Sequence, residues 1–470
     1  MAAHSISRRD VLKSAASACI GGMVEEVVAL GAVTPAPNIV MIYADDLGYG
    51  DLGCYGSNLR TPNLDRMASE GAKFNHFYSA NPVCSPSRAA LLTGRYPTRV
   101  GVPRVLFPTD TTGLPESETT IAQVLKPKGY KTMAIGKWHL GHLPAFLPPK
   151  RGFDEYFGIP YSNDMNPRVL LHATADKTEI VEQEATLATL TPRYTDQAVR
   201  FIERSKDGPF FLYMPHTYPH IPLGASPRFR GKSSAGLYGD VVEELDWSVG
   251  EILNALKQHG LDDHTLVMFS SDNGPWHQGS PGPLRGRKGS TLEGGMREPF
   301  IARFPGRIPR GVVCDGLAST IDIMPTVVGL TGADGPQKPL DGIDIWPLLT
   351  GQKKEFDREA FLYFDNLYLQ CARRGRYKLH VSRYNSFAYS PPPTDGRTNL
   401  PLKPELYDVV SDPEESYDIA PEHPEIVADL QARIERLMQT FPDDIRKAYS
   451  STMVKPVAPT ATGALPRSKQ

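Results

Sequence analysis

The chain has 470 residues, with 51 Lys and Arg against 53 Asp and Glu and a formal net charge of −2. This balance argues against a nucleic-acid coat, because an excess of positive charge normally supplies the attraction to a polyphosphate. The 40% of hydrophobic residues can bury a large core, and five cysteines are too few for a disulfide framework in a chain of this length. A globular protein, with two domains favoured by its length, is the remaining class.

The first residues are typical of an export signal. Residues 7–13, Ser-Arg-Arg-Asp-Val-Leu-Lys, resemble the twin-arginine motif, and the uncharged stretch 14–24 could serve as its apolar region. No membrane span is predicted, because Pro35 and Pro37 interrupt the uncharged run 27–44. We therefore predict export through the twin-arginine pathway to a bacterial periplasm.

From residue 38 to about 330, short apolar runs alternate with helical periodicities. This pattern is typical of an α/β protein with a large, mostly parallel sheet flanked by helices. The strands predicted from the apolar runs are 39–43, 131–135, 210–214 and 266–270. The helices predicted between them are 195–205 and 241–256.

After about residue 365 the pattern changes to short strand-like pieces, separated by a Pro-rich stretch at 390–404 and followed by one helical segment at 425–438. This texture predicts a smaller antiparallel sheet plus a helix. The predicted division is a signal segment 1–36, a catalytic domain 37–365, a C-terminal antiparallel subdomain 366–450 and a flexible tail 451–470.

Unusual polar residues follow three of the predicted strands. Asp45-Asp46 follow the first, residues 137–139 (Lys-Trp-His) the second, and Asp272-Asn273 the fourth. Ligands of open α/β sheets collect beyond the carboxyl ends of the strands, and carboxylate and amide oxygens suit Ca²⁺ or Mg²⁺. The alternative is turn chemistry, since Asp and Asn often end strands by bonding their own backbone.

A further segment, residues 84–95 (Cys-Ser-Pro-Ser-Arg-Ala-Ala-Leu-Leu-Thr-Gly-Arg), combines a helix start with a single cysteine. Pro86 and Ser87 suit the start of a helix and Gly94 its end, which places Cys84 just before the helix. The free N–H groups and the dipole of a helix N-terminus favour an anion. Arg88, one turn further on, can point its guanidinium toward the same place.

This segment, Cys-x-Pro-Ser-Arg followed by Leu-Thr-Gly-Arg, resembles the signature of the type I sulfatase family, and most closely its arylsulfatase A and N-acetylgalactosamine-6-sulfatase branch. The resemblance runs from residue 37 to about 418. It is carried also by Ala-Asp-Asp-Leu-Gly at 44–48, Gly-Lys-Trp-His-Leu-Gly at 136–141, Gly-Ile-Pro-Tyr-Ser at 158–162 and Glu-Gly-Gly at 293–295. It implies an alkaline-phosphatase-like fold and the oxidation of Cys84, by a separate maturation enzyme, to Cα-formylglycine.

The resemblance also implies a role for each matching residue. The implied metal ligands are Asp45, Asp46, Asp272, Asn273 and the hydroxyl derived from Cys84. The implied catalytic and sulfate-binding residues are Arg88 for that hydroxyl, Lys137 and Lys288 for the sulfate, Ser162 in the sulfate pocket, His139 as the base that resolves the intermediate, and His220 for the leaving group. Lys137 and His139 are expected to point to one side of an extended segment. His216 competes with His220, but only His220 fits the pattern His-x-Pro, and His216 is expected on a pocket wall or the surface.

The implied activity is hydrolysis of a sulfate monoester. The hydrate of an aldehyde carries two hydroxyls on one carbon, so that one can attack sulfur while the other loses its proton and reforms the aldehyde as sulfate leaves. A sulfated carbohydrate and an aryl sulfate are both open as substrates. The alternatives are a phosphomonoester or phosphonate monoester hydrolase of the same fold, and a non-catalytic protein that binds sulfated glycans.

Overall fold

The computed structural model describes residues 36–384 and 399–452. The predicted signal segment and nearly all of the predicted tail lie outside these residues. The strands are β1 Asn38–Ala44, β2 Ala72–Tyr78, β3 Lys131–Ile135, β4 Glu155–Gly158, β5 Leu170–Thr174, β6 Thr178–Glu182, β7 Phe210–Pro215, β8 Thr265–Ser271, β9 Arg297–Arg303, β10 Val312–Cys314, β11 Ala318–Ser319, β12 Phe361–Asp365, β13 Tyr368–Arg374, β14 Tyr377–Tyr384 and β15 Asn399–Asp408. The α-helices are α1 Pro62–Glu70, α2 Cys84–Thr93, α3 Ile121–Leu125, α4 Leu190–Ser205, α5 Gly236–Gln258, α6 Glu293–Met296, α7 Ile323–Thr331, α8 Trp346–Leu349, α9 Pro424–Met438 and α10 Asp443–Ser451.

The strands β1 to β11 form one mixed sheet, in the order β10-β2-β9-β8-β1-β7-β3-β4-β5-β6 with β11 beside β2. Its central strands β8, β1, β7, β3 and β4 are all parallel to one another. The four strands predicted from sequence, now β1, β3, β7 and β8, all belong to this central group. Their carboxyl ends therefore meet at one edge of the sheet, as the predicted fold class requires.

Both faces of this sheet are covered, as expected for parallel strands. Every residue of β1 is buried, and alternate side chains enter two different cores. Ile39 and Met41 join the core beneath α2, α3 and α7, whereas Val40 and Ile42 join the core beneath α1, α4 and α5. A continuous apolar run such as β1 is stable only when helices shield it on both sides.

The strands β12 to β15 form a separate antiparallel sheet in sequential order. Helices α9 and α10 pack on it through residues such as Leu430 and Ile445, and the same core includes Tyr78 of β2 and Ala90 of α2. This sheet begins at Phe361, slightly ahead of the predicted subdomain 366–450, and the predicted domain division itself stays a prediction. Within the residues described, no helix has both the length and the apolar character that crossing a membrane requires.

Candidate active site

The ends of β1 and β8 bring four predicted ligands together. Ala44 and Ser271 pair in register at the ends of these neighbouring strands, so the residues that follow are adjacent. The Asp46 backbone N–H donates to Asp272 Oδ1 at 3.1 Å, and Asn273 Nδ2 donates to Asp46 Oδ1 at 2.7 Å. The two strand ends thus form one buried polar cluster rather than two separate turns.

Helix α2 presents Cys84 to this cluster. The helix begins at Cys84 itself, two positions before the start that Pro86 suggested, and ends at Thr93, followed by Gly94, whose φ of 68° is the left-handed conformation typical of a helix end. Cys84 is 2% exposed, and burial raises the pKa of its thiol to about 12. An unmodified Cys84 is therefore a protonated and weak nucleophile at neutral pH.

Three buried cations each contact one of three buried carboxylates. The N to O distances are 2.6 Å for Lys137–Asp45, 2.8 Å for Lys288–Asp46 and 2.7 Å for Arg88–Asp272. The formal charges of these six side chains cancel, so that a bound divalent cation would give the site two net positive charges. Such a site favours negatively charged ligands, because its charges are poorly screened by water.

The pKa values of two of these carboxylates, Asp45 and Asp272, are shifted in opposite directions. Burial alone would raise the pKa of Asp45, but the charges of Lys137, His220 and Arg88 hold that pKa below its ordinary value. Burial, together with the neighbouring Asp45, raises the pKa of Asp272. The two acids compete for the same cations, and a divalent cation would relieve that competition.

The cluster has oxygen atoms that fit a metal ion. Asp45 Oδ1 and Asn273 Oδ1 are buried and have no hydrogen-bond partner, which is costly for a polar atom unless a ligand completes it. One ligand atom each from Asp45, Asp46, Cys84 and His220 lies within 4.8 Å of the others. The two carboxylates of this group, with Asp272 and the Asn273 amide hydrogen-bonded beside them, offer the oxygen ligands that suit a hard cation such as Ca²⁺ or Mg²⁺.

His139 is oriented as a neutral imidazole with a free lone pair. Its Nε2 lies 2.8 Å from the Leu106 carbonyl oxygen and must donate there, which leaves Nδ1 as the acceptor, buried and without a partner. Burial, reinforced by Lys137 and Arg88, lowers the pKa of His139 well below its ordinary value.

The backbone at His139 differs from the prediction of an extended segment. Its φ is 58°, a left-handed value that is uncommon outside glycine, and Asp46 has a similar φ of 62°. The segment after β3 is hydrogen-bonded to the segment after β4: the Trp138 N–H donates to the Ile159 carbonyl and the His139 N–H to the Pro160 carbonyl, each at 3.0 Å. Two site residues are therefore held in unfavourable conformations by the surrounding structure.

His220 lies beside the carboxylates, with Nε2 3.6 Å from Asp46 Oδ2. Its Nδ1 contacts the Ile221 carbonyl, so Nε2 is the nitrogen directed into the site. The loop is fixed by Asn163, whose Nδ2 donates to the carbonyls of His220 at 3.1 Å and Pro222 at 3.0 Å. This role of Asn163 was not predicted from the sequence. The only feature that could have indicated it is that Asn163 directly follows Ser162.

The other predicted residues divide into those inside and outside the cluster. Ser162 is inside it, because its Oγ accepts a hydrogen bond from Lys137 Nζ at 3.0 Å. His216 is fully buried with Nε2 3.5 Å from Ser248 Oγ, so the expectation of a surface position is wrong, because the residue packs beneath the sheet edge. Asp164, unnoticed in the sequence, lies at the exposed rim; partial burial would raise its pKa, but His220 and Lys137 hold it below its ordinary value.

Comparison with known proteins identifies this arrangement. The family model described as Sulfatase matches residues 37–333, which include all eleven strands of the mixed sheet and every residue of the cluster. The chain belongs to the sulfatase family. A second model, described as N-sulphoglucosamine sulphohydrolase, C-terminal, matches residues 288–440 of the sulfatase.

The sulfatase resembles named relatives over most of its length. It is 41% identical to human arylsulfatase A over 83% of this chain and 84% of that protein. It is 43% identical to N-acetylgalactosamine-6-sulfatase of Rattus norvegicus over 76% of this chain and 73% of that protein. The crystal structure of the PsFucS1 sulfatase from Pseudoalteromonas sp. matches with a TM-score of 0.79 at 29% identity, covering 89% of this chain and 92% of that one. The predicted branch, the alkaline-phosphatase-like fold and the hydrolysis of sulfate esters are confirmed.

The loop of the sulfatase that carries Lys288 is anchored by a buried ion cluster. Lys378 Nζ lies 3.1 Å from Glu293 Oε1, 3.0 Å from Glu415 Oε1 and 2.8 Å from the Thr291 carbonyl oxygen. The Glu293 N–H donates to Glu415 Oε2 at 2.7 Å. The small sheet thus fixes the segment that follows Lys288. No local pattern in the sequence indicated this contact, because its partners are far apart along the chain.

This ion cluster predicts a defined pH dependence of stability. His380 Nε2 lies 2.7 Å from Glu415 Oε1. Burial would lower the pKa of His380, but Cys371 and Glu415 raise it to about 9. Burial would raise the pKa of Glu415, but Lys378 and His380 lower it to about 2. The contribution of His380 to the free energy of unfolding is therefore complete below its unfolded pKa of ~6.5 and is lost as pH rises through 9. The contribution of Glu415 is complete above its unfolded pKa of ~4.5 and is lost as pH falls toward 2.

His380→Gln should therefore lower the free energy of unfolding most between pH ~4.5 and ~6.5, by about 3 kcal/mol, the usual order for breaking a buried ion pair. The loss should shrink as pH approaches 9, because the parent protein then loses the same proton. Urea unfolding at several pH values measures it, with the exposed His264→Gln as the control. A loss that stays constant with pH would contradict the ion pair.

Proposed function

We propose that this sulfatase cleaves its ester through a Cα-formylglycine made from Cys84 by a separate maturation enzyme, with Ca²⁺ or Mg²⁺ held by Asp45, Asp46, Asp272 and Asn273. The observation that carries the proposal is the placement of Cys84 at the start of α2, within 4.8 Å of carboxylate oxygens. The unpartnered oxygens of Asp45 and Asn273 support the metal site. When present, the hydrated aldehyde supplies the nucleophilic hydroxyl and the cation offsets its negative charge.

The cations of the chain bind and orient the sulfate. Lys137 and Lys288 already neutralise Asp45 and Asp46, so their ammonium groups can also donate to sulfate oxygens once a metal shares those carboxylates. Ser162 adds a hydroxyl next to Lys137. Arg88, fixed by Asp272, directs positive charge toward the start of α2. These contacts hold the sulfur in line with the attacking group.

The two histidines are suited to move protons in opposite directions. His139 has a free Nδ1, and its low pKa keeps the ring unprotonated, so that this nitrogen is available to accept a proton from the second hydroxyl of the hydrate. His220 presents Nε2 and, when protonated, can donate to the departing alcohol oxygen. Sulfated carbohydrate and aryl sulfate are both proposed substrates, and export to the periplasm by the twin-arginine pathway is the proposed location.

The main test compares 4-nitrophenyl sulfate with 4-nitrophenyl phosphate. We expect kcat/KM to be higher for the sulfate by at least about a hundredfold, since the described residues offer one candidate metal site, flanked by three paired cations. The reverse preference would favour the phosphomonoester or phosphonate hydrolase. Absence of turnover with both, in correctly matured protein with metal, would favour a non-catalytic protein that binds sulfated glycans.

His220→Ala should affect poor leaving groups far more than good ones. A sugar alkoxide needs a proton to depart, so kcat for a 6-sulfated hexosamine should fall by about 10²–10⁴-fold, the usual range for a general acid. Nitrophenolate leaves without one, so its kcat should fall much less. Steady-state kinetics on both substrates measure this difference, with His264→Ala as the control. Equal losses on both would contradict the assigned role.

A further inference from the structure

A cavity of about 770 Å³ opens beside the proposed sulfate site. Lys288 belongs to both: its Nζ contacts Asp46, and it also lines the cavity. The Lys288 N–H donates to the Pro275 carbonyl at 3.2 Å, which ties the segment after Asn273 to the same wall. The alcohol part of an ester whose sulfate is held by Lys288 would therefore extend into this cavity.

The cavity lining includes aromatic and aliphatic side chains. Trp276 is half-buried, and its ring lies 4.9 Å from the exposed His277 ring at an interplanar angle of 72°. Leu284 and Leu292 also line the cavity. A flat indole with its edge in water suits a ring that has one apolar face and polar edges, which describes a saccharide ring as well as an arene.

The cavity lining also carries two guanidinium groups, whose hydrogen bonds within the described residues reach only neutral acceptors. Arg287 Nη1 donates to the Trp276 and Gly279 carbonyls at 2.8 and 2.7 Å, so this half-buried residue holds the loop in shape. Arg285 is exposed, and its Nη1 donates to the Glu415 carbonyl at 3.0 Å. In the part of the chain described, neither guanidinium has a carboxylate within ion-pair distance. Burial raises the pKa of Asp51 to about 6, and the charge of Arg287 opposes that rise only in part.

We propose that the leaving group of this sulfatase is a saccharide carrying a second anionic group, sulfate or carboxylate, with its ring against Trp276 and its second anion paired with Arg285. The charge of Arg285 distinguishes this ligand from an uncharged aryl group, which would leave the guanidinium unpaired. A guanidinium binds such an anion through two parallel hydrogen bonds, which Lys could not provide. The inference rests on the proposed function, because the first sulfate must occupy the site of Lys137 and Lys288.

The test measures binding by calorimetry in a Cys84→Ala background with Ca²⁺, so that no ester is cleaved. The probes are matched saccharide sulfates that differ by one anion: N-acetylgalactosamine 6-sulfate, its 4,6-disulfate, a 6-sulfated disaccharide with a uronate carboxylate, and the corresponding glucosamine set. At least one doubly anionic probe should bind about tenfold more tightly than its singly anionic partner. The disulfate and the uronate distinguish the two sources of the second anion.

Arg285→Gln should abolish that tenfold preference, and Arg310→Gln, which removes an exposed arginine after β9, should retain it. Trp276→Ala should weaken all saccharide probes by about tenfold, with Trp276→Phe restoring most of the affinity. The proposal is overturned if no doubly anionic probe is preferred, or if the preference survives in Arg285→Gln. Turnover of 4-nitrophenyl sulfate by the matured protein tests the proposed function separately, so the two failures are distinguishable.

Discussion

Cys84→Ala should reduce kcat for 4-nitrophenyl sulfate by roughly a million-fold, or to the assay limit, as removal of a covalent nucleophile does in other hydrolases. Alanine cannot be converted to an aldehyde, and no other thiol of the described residues lies in the cluster. The substitution removes one buried sulfur atom at the start of a helix that is held by many other contacts. We therefore expect the thermal midpoint to stay within a few degrees of that of the parent.

Cys54→Ala is the matched control. Cys54 is half-buried and lies away from the metal cluster, and burial raises the pKa of its thiol to about 12 as it does for Cys84. This variant should retain full activity. Substantial sulfate ester cleavage by Cys84→Ala, with a normal fold, would contradict the assignment of the nucleophile.

Lys137→Ala should reduce kcat/KM by about 10³-fold, because it removes a buried cation that contacts both a proposed metal ligand and Ser162. It should also destabilise the metal-free protein by about 3 kcal/mol, since Asp45 then keeps only the Arg88 contact at 3.5 Å. Added Ca²⁺ should recover much of this stability by pairing with the carboxylate, without restoring activity. Thermal unfolding with and without the cation measures the loss of stability and its recovery, and steady-state kinetics measure the fall in kcat/KM.

Lys131→Ala is the control for this variant. Lys131 begins the same strand β3 but is exposed, and its Nζ contacts only the Arg204 carbonyl at 3.2 Å. It should change neither activity nor the response to Ca²⁺. Full activity of Lys137→Ala would rule out the proposed sulfate contact, and an unchanged stability in the absence of metal would contradict the buried ion pair.

The sequence predicted the site best where topology simplifies the problem. Parallel strands point their carboxyl ends to one edge, so the polar residues after β1, β3 and β8 had to meet once those strands were recognised. The strand limits were predictable because a fully buried strand is a short, continuous apolar run. The register between β1 and β8, which places Asp46 beside Asp272, was not predicted from the sequence and is seen only in the structure.

Other features have no local signature. The pairing of Lys378 with Glu293 joins the small sheet to the segment after Lys288 across a long stretch of chain, and hydrophobic periodicity does not report such a contact. The left-handed backbone at His139 was missed because the residue is held by a hydrogen bond to Pro160, in the segment after β4, and not by its own preference. Asn163 was missed because its role is to hold the loop of His220 rather than to contact a substrate.

The most direct measurement is mass spectrometry of the proteolytic peptide that contains Cys84, taken from preparations of different specific activity. We expect the cysteine sulfur to be replaced by an aldehyde oxygen in active material, and specific activity to rise in proportion to the converted fraction. A fully active preparation in which Cys84 remains an ordinary thiol would contradict the proposed nucleophile.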